Sequence, residues 1–374
     1  MTTTVQLNSE QEEIRGVARS FLQSRLPSDK VRELAGTDEG FEAGDWSEIA
    51  ELGWTSIAIP EERGGAGYTL IERCLLLEEM GRVLYGGPFL SSAVLASDSL
   101  LLVADSERGG DLLAGIAEGS VRATLVAAGD LLAGTDPAGA VRASASAGEG
   151  WALDGDCGLV LDALSAELLL AAARLEDGSL GLFAVEAGAA GVEREAAATV
   201  DETRRTGTVR FAGASAERLD DGSDTERALR EVLDRGAISL AAEIAGGTRR
   251  AIEMTVAYMH EREQFGGPIG RFQALKHRLA DLHVAADAAR EATYSAADAA
   301  LAGDPQLSLA AAAAKAAAAE CFVRTGAEAV QLHGGIGFTE EHDIGLFYKR
   351  ALVCAPLLGS PLAQYERIAA GLDV

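Results

Sequence analysis

Polar and apolar positions change rhythm twice along the chain. Asn8-Ser9 precedes Glu12 in the manner of a helix cap, and Ile14, Val17, Ala18, Phe21 and Leu22 follow at the spacing of one helical face. A second helix is expected near residues 46–52, then a short extended piece at 54–60 that ends on Pro60. Residues 61–67 form a glycine-rich loop. Helices are expected again at 69–82 and 89–102, parted by Gly86-Gly-Pro88, which neither can traverse. From about Val121 the texture shortens. Apolar runs at 122–127, 151–156, 168–172, 180–185 and 207–211 lie between Gly and Asp turns, the pattern of a compact β-sheet domain. The acidic stretch Leu219-Asp-Asp-Gly closes it. Helical periodicity then returns over 232–259, 272–294, 307–326 and 361–372, dense in alanine, as expected of an antiparallel bundle. No internal repeat is visible, and residues 127–150, rich in Gly, Ala and Ser, read as a loop. The division predicted is 1–118 helical, 119–222 β and 223–374 helical bundle, an α+β chain.

Composition narrows the function classes. The 374 residues suit two or three packed domains, and 48% hydrophobic residues supply their cores. Thirty-two Lys and Arg against 58 Asp and Glu leave a net charge of −26, which disfavours nucleic acid and anionic membranes as partners. Cys74, Cys157, Cys321 and Cys354 are scattered, with no CxxC pair and no histidine at ligand spacing, so buried free thiols and no metal are expected. The N-terminus lacks an apolar signal core, and the alanine-rich stretch at 309–319 is broken by Lys315, so a cytoplasmic location is expected.

Two C-terminal motifs carry the chemistry. Glu261-Arg-Glu-Gln-Phe-Gly-Gly-Pro-Ile-Gly-Arg-Phe-Gln273, continued by His277-Arg-Leu-Ala-Asp281, resembles the RxxFGxxIxxFQxxxHxLAD signature of the acyl-CoA dehydrogenase family. Gln331-Leu-His-Gly-Gly-Ile-Gly-Phe-Thr339 resembles its QxxGGxGxT motif. Trp151-x-Leu-x-Gly155, Asp201-Glu-Thr-Arg204, Gly53-Trp54 and the run from Pro60 to Gly67 extend the likeness over nearly the whole chain. It implies that family's fold: an N-terminal helical domain, a middle β-barrel-like sheet domain and a C-terminal four-helix bundle. It further implies FAD, whose pyrophosphate calls for a fixed cation and close backbone amides. Arg262, Gln264, Phe265, Gln273, Gln331, Gly334 and Gly335 stand where the family touches the flavin nucleotide of a neighbouring subunit. The implied assembly is a dimer of dimers, with an acyl-CoA substrate and electron-transferring flavoprotein as redox partner. Taken singly, an Arg or Gln on a helix is a solvated residue and a Gly-Gly pair a turn; two whole motifs at family spacing reverse that.

The resemblance fails at the reaction itself. The family's carboxylate base, which removes the α proton of the thioester, most often lies about twenty residues beyond QxxGG. Here that stretch is Val353-Cys-Ala-Pro-Leu-Leu-Gly-Ser360, with Leu357 or Leu358 at the base position. The alternative base position, on the bundle's first helix, falls at Gly236 and Ala237. Asp234 is the nearest carboxylate and Glu243 lies further on; a residue complementing a helix dipole is the plainer role for Asp234. The middle domain lacks a TEP-like segment in 127–135 and carries Cys157 where a lysine is usual. Four readings follow: one subunit of a heteromeric dehydrogenase of the kind that handles sterols and other bulky acyl groups, an autonomous homotetramer using Asp234 or Glu243, a scaffold without redox chemistry, or a flavin monooxygenase. Arg249-Arg250 is the candidate receiver of coenzyme A phosphates.

Overall fold

A computed structural model describes residues 6–127, 140–146, 150–222 and 224–372. The N-terminal helices are α1 (Ser9–Arg25), α2 (Ser28–Ala35), α3 (Ala43–Glu51), α4 (Leu70–Arg82), a π-helical stretch Phe89–Ala96 running into α5 (Ser97–Leu102), and α6 (Glu107–Ala117). The cap of α1 is Asn8 rather than Ser9, in a reciprocal box with Gln11; Thr69 and Glu72 repeat the device on α4. Residues 54–60 are a chain of turns, not the extended piece expected: Ile57 N donates to Trp54 O and Ile59 N to Ser56 O. Helices α2 and α6 are additions to the expected pattern. In α6, Gly109, Gly110 and Gly115 read as breakers, yet Leu112, Leu113 and Ile116 are buried and hold the helix in place.

The middle segment holds strands β1 (Ala123–Val126), β2 (Arg142–Ala145), β3 (Trp151–Leu161), β4 (Leu168–Arg174), β5 (Leu180–Glu186), β6 (Val192–Ala196) and β7 (Thr206–Arg218). Their order is β1-β4-β2-β3-β7-β5; since β5 pairs with both β7 and β4, the sheet closes into a barrel, with β6 attached outside β7. Phe183, Phe211, Val209, Leu153 and Cys157 fill its interior. Strand β2 falls within the expected loop 127–150; the rest of that loop, apart from Ala127, Ala140, Val141, Ser146 and Gly150, lies outside the described residues.

Helices α7 (Thr225–Glu261), α8 (Gln273–Ala302), α9 (Leu307–His333), α10 (Ile344–Cys354) and α11 (Pro361–Gly371) form the C-terminal domain. The three long helices are each longer than expected, and their extensions still bury residues: Leu229 in α7, Ala296, Ala297 and Ala300 in α8, and Ala329, Val330 and Leu332 in α9. Helix α7 also crosses α4 at very short range. A Cβ at Gly246 would fall on the backbone carbonyl of Glu78, and one at Gly81 on that of Glu243. This crossing joins the first and last domains. No helix of the described residues is long and apolar enough to cross a membrane.

Candidate functional site

The two C-terminal motifs, nearly seventy residues apart, meet at one corner of the bundle. Arg262 caps the C-terminal end of α7, its N–H donating to Tyr258 O at 2.8 Å. The chain then makes a tight hairpin: Gln264 N donates to Gly267 O at 2.9 Å, and Ile269 N to Arg262 O at 2.8 Å. Phe265 (φ 54°) and Gly266 (φ 84°) both take positive φ, as in a primed two-residue turn. Glycine does this freely, whereas phenylalanine does it at a cost of about 1–2 kcal/mol. The Phe265 ring is nonetheless 84% exposed, with Arg271 donating to the carbonyls of Phe265 and Gly266 behind it.

Opposite this hairpin, α9 ends at His333, and Gly334 (φ 65°, ψ −140°) turns the chain into a 3-10 stretch, Gly334–Phe338. Tyr258 spans the two motifs: its ring stacks on His333 at 4.4 Å and its Oη donates to His333 O at 3.1 Å. Arg262, Gln264, Phe265, Gln273, Gln331, Gly334 and Gly335 are all exposed. Among the described residues the side chains of Arg262, Gln273 and Gln331 have no hydrogen-bond or ion-pair partner. A free guanidinium, two free amides and glycine backbone opening onto space, where no atom lies within 4 Å of a Cβ built at Gly334 or Gly335, fit an anionic nucleotide.

The two base positions also converge, and on apolar matter. A Cβ built at Gly236 of α7 would lie 2.5 Å from Leu95 Cδ2 and 3.4 Å from Leu358 Cδ1. The loop that presents Leu357 and Leu358 is firmly built, with Leu358 at φ 55°. Buried Lys315 donates to Ala355 O at 2.9 Å and Gly359 O at 3.3 Å, and Gln364 donates to Leu358 O at 2.7 Å. Burial pushes Lys315 down to about 8. None of these groups is a carboxylate.

Nor do the two carboxylates on α7 stand free. Asp234 is buried and accepts from Arg367 at 2.5 Å; burial raises its pKa, and Arg367 opposes the rise. Glu243 accepts from Arg204 and, at 2.9 Å, from Arg350. Arg350 of α10 also donates to Asp201 (2.5 Å), Thr203 Oγ1 (2.7 Å) and Thr203 O (3.0 Å). Burial alone would raise Asp201, but Arg350 and Thr203 hold it below the usual carboxylate range. The Asp201-Glu-Thr-Arg204 motif is therefore a buried tie among the barrel, α7 and α10. Arg350 escaped the sequence reading; its only signal is a lone arginine on the face shared by Phe347, Ala351 and Cys354, all buried.

Other sequence expectations are placed as follows. Cys157 faces the barrel interior, its thiol 3.3 Å from Ala127 O. Residues 128–135 lie outside the described residues. Arg249 pairs with Asp287 at 2.8 Å and Arg250 with Glu253 at 3.8 Å, so local carboxylates offset the expected basic patch. All four cysteines are buried and none is in a disulfide. Among the described residues no group of three His, Cys, Asp or Glu is placed to hold a metal.

Residues 8–120 match the acyl-CoA dehydrogenase N-terminal domain and residues 226–372 the acyl-CoA dehydrogenase C-terminal domain. The chain belongs to the acyl-CoA dehydrogenase family, oxidoreductases that act on CH–CH groups with FAD as cofactor. It is 32% identical over 360 residues to acyl-CoA dehydrogenase IpdE2 of Mycobacterium tuberculosis, covering 96% of each chain. Among solved structures it resembles the steroid acyl-CoA dehydrogenase Tcur3481-Tcur3483 (G363A variant), with 31% identity, TM-score 0.87 and 98% and 99% coverage. It also resembles the ChsE4-ChsE5 complex of Mycobacterium tuberculosis, with 28% identity, TM-score 0.89 and 98% coverage of both chains. Butyryl-CoA dehydrogenase of Megasphaera elsdenii, at 23% identity and TM-score 0.90 over both full chains, shares the fold.

Proposed function

We propose that this chain is the FAD-completing subunit of a heteromeric acyl-CoA dehydrogenase, paired with a homologous subunit that contributes the base. The carrying observation is an asymmetry. The face formed by Arg262, Gln273, Gln331, Gly334 and Gly335 is exposed, while the base positions carry no carboxylate: Leu357 or Leu358 stands at one, and Gly236 and Ala237 at the other, where Leu95 and Leu358 occupy the space beside Gly236. Bound FAD supplies the hydride acceptor of an α,β-dehydrogenation. This chain's share is to hold the nucleotide's pyrophosphate and adenosine portion with Arg262 and the Gln331–Gly335 turn. Asp234 and Glu243 are occupied by arginines, which disfavours an autonomous enzyme that uses them. Retention of unpartnered FAD-facing polar groups disfavours a scaffold. The division at 1–118, 119–222 and 223–374 serves this role: the crossing of α4 and α7 and the buried tie around Arg350 keep the nucleotide-facing bundle fixed on the other two units. By likeness to the steroid dehydrogenase complexes the substrate class is a bulky, sterol-derived acyl-CoA in the cytoplasm, with electron-transferring flavoprotein as acceptor and a tetramer of two unlike pairs as the assembly.

The test is a visible absorption spectrum with native mass, on the chain alone and on the chain co-purified with its homologous partner. The expected result is a colourless chain and a yellow heteromer. A flavin-loaded homotetramer with turnover of its own would overturn the reading.

A further inference from the structure

The reading above leaves open what keeps Arg262 and the Gln331–Gly335 turn in mutual register. They are not joined by any hydrogen bond of their own side chains, and each sits at the frayed end of a long helix, where intrahelical bonding stops. The link is a cluster of three rings, one pair of them stacked. Tyr258, one turn before Arg262, accepts the Arg262 N–H at its carbonyl. Its ring lies on His333 at 4.4 Å with an interplanar angle of 26°, and its Oη donates to His333 O, the carbonyl just before Gly334. His342 lies beside this pair, 4.4 Å from the His333 ring and tilted by 54°, and edge-on to Tyr258 at 6.2 Å, while its Nδ1 accepts from Ile344 N at 3.1 Å and so anchors the cluster to α10.

We infer that Tyr258, stacked on His333, is a positioning residue that sets Arg262 against the Gln331–Gly335 turn for flavin nucleotide binding. The inference rests on the reading of this face as the FAD contact, and the surroundings of His333 favour stacking over hydrogen bonding as the source of the effect. His333 is 3% exposed, with Nδ1 at 2.7 Å from Ala329 O, yet its Nε2 is buried without a hydrogen-bond partner. A ring retained for its polar atoms would not leave one of them bare. A ring that serves as a stacking plate for Tyr258, with His342 tilted beside both, does so at no loss of function.

Tyr258→Leu removes stack and hydroxyl bond together, Tyr258→Phe only the bond, and His333→Phe keeps a plate while deleting the bare nitrogen. In the complex with the homologous partner, titrated with FAD and read by flavin fluorescence, Tyr258→Leu is expected to weaken FAD about tenfold and Tyr258→Phe by no more than about twofold. His333→Phe is expected to stay within about twofold of the native complex. A role through Arg262 also requires that Tyr258→Leu add little to Arg262→Ala in a double-mutant cycle. Hydrogen exchange across 262–273 should rise in the Tyr258→Leu chain alone, with native mass unchanged. If the native complex binds FAD and Arg262→Ala weakens it, but Tyr258→Leu binds as the native protein does, the clamp is refuted and the face stands. If the native complex takes no FAD, or Arg262→Ala binds it unchanged, the reading of the face fails and the clamp with it.

Discussion

Glu243 shows how one residue can be read two ways until its neighbours are known. On the helix it is a carboxylate near the alternative base position; in the fold it lies between Arg204 and Arg350, buried on all sides. Removing one member of such a cluster leaves charge without compensation in a low dielectric, at about 3–5 kcal/mol. Glu243→Gln is therefore expected to lower unfolding free energy by an amount at the lower end of that range, measured by urea denaturation. A base would behave otherwise, losing turnover at unchanged stability. Asp162 offers a pH signature at the same junction. It accepts from Ser91 at 2.6 Å, and burial raises its carboxyl to about 6. A carboxyl raised above its unfolded value of 3.8 holds its proton longer in the folded state. Its contribution to stability is thus complete below that value and is lost as pH rises to about 6 and beyond, by up to roughly 3 kcal/mol. Subtracting the Asp162→Asn profile from the native one should show a fall between pH 4 and 6; a flat difference would refute the assignment.

At the scale of elements, the crossing of α4 and α7 sets the geometry on which everything else rests. Gly246 and Gly81 let two backbones touch, and the obstacle to a side chain there is a carbonyl of the other helix, not a flexible side chain. Gly246→Ala must therefore separate the helices, at about 3 kcal/mol in line with overpacked cores, even though alanine is the better helix former. A thermal melt of this variant reads the loss directly. Helices α2 and α6 and strands β2 and β6 were not legible beforehand for related reasons. The burial of β6 alternates only weakly, and it is held by the ladder to β7, so its own sequence carries little apolar signal. Helix α10 hid behind the motif on either side of it. Long, strongly periodic helices such as α7 were legible, though not their ends.

The whole chain carries a net charge of −26, and two large aromatic rings stand exposed at the corner where its C-terminal motifs meet. Phe265, itself one of the proposed FAD contacts, is 84% exposed, and Phe338, just beyond the Gln331–Gly335 turn, is 80% exposed. Exposed aromatics beside unpartnered polar groups suit a surface completed by another subunit. Phe265→Asp with Phe338→Asp should leave the chain's own stability within about 0.5 kcal/mol, since neither ring is buried. The same change should abolish the heteromer in native mass measurements. If the complex persists, the partner docks elsewhere.

The chain's periodicities and motifs alone determined the class of fold and the order of its three parts, and they placed leucines rather than a carboxylate at 357 and 358. These are local facts: helical stripes, turn glycines and motif spacing are written within a few tens of residues. Tertiary structure alone decided that Gly236 and Leu358 share one point with Leu95, that Asp234 and Glu243 are spent on Arg367, Arg204 and Arg350, and that Tyr258 joins the two motifs. Each of those depends on a partner more than seventy residues away or on another element's face, and which charges meet in the interior is set by packing rather than by pattern.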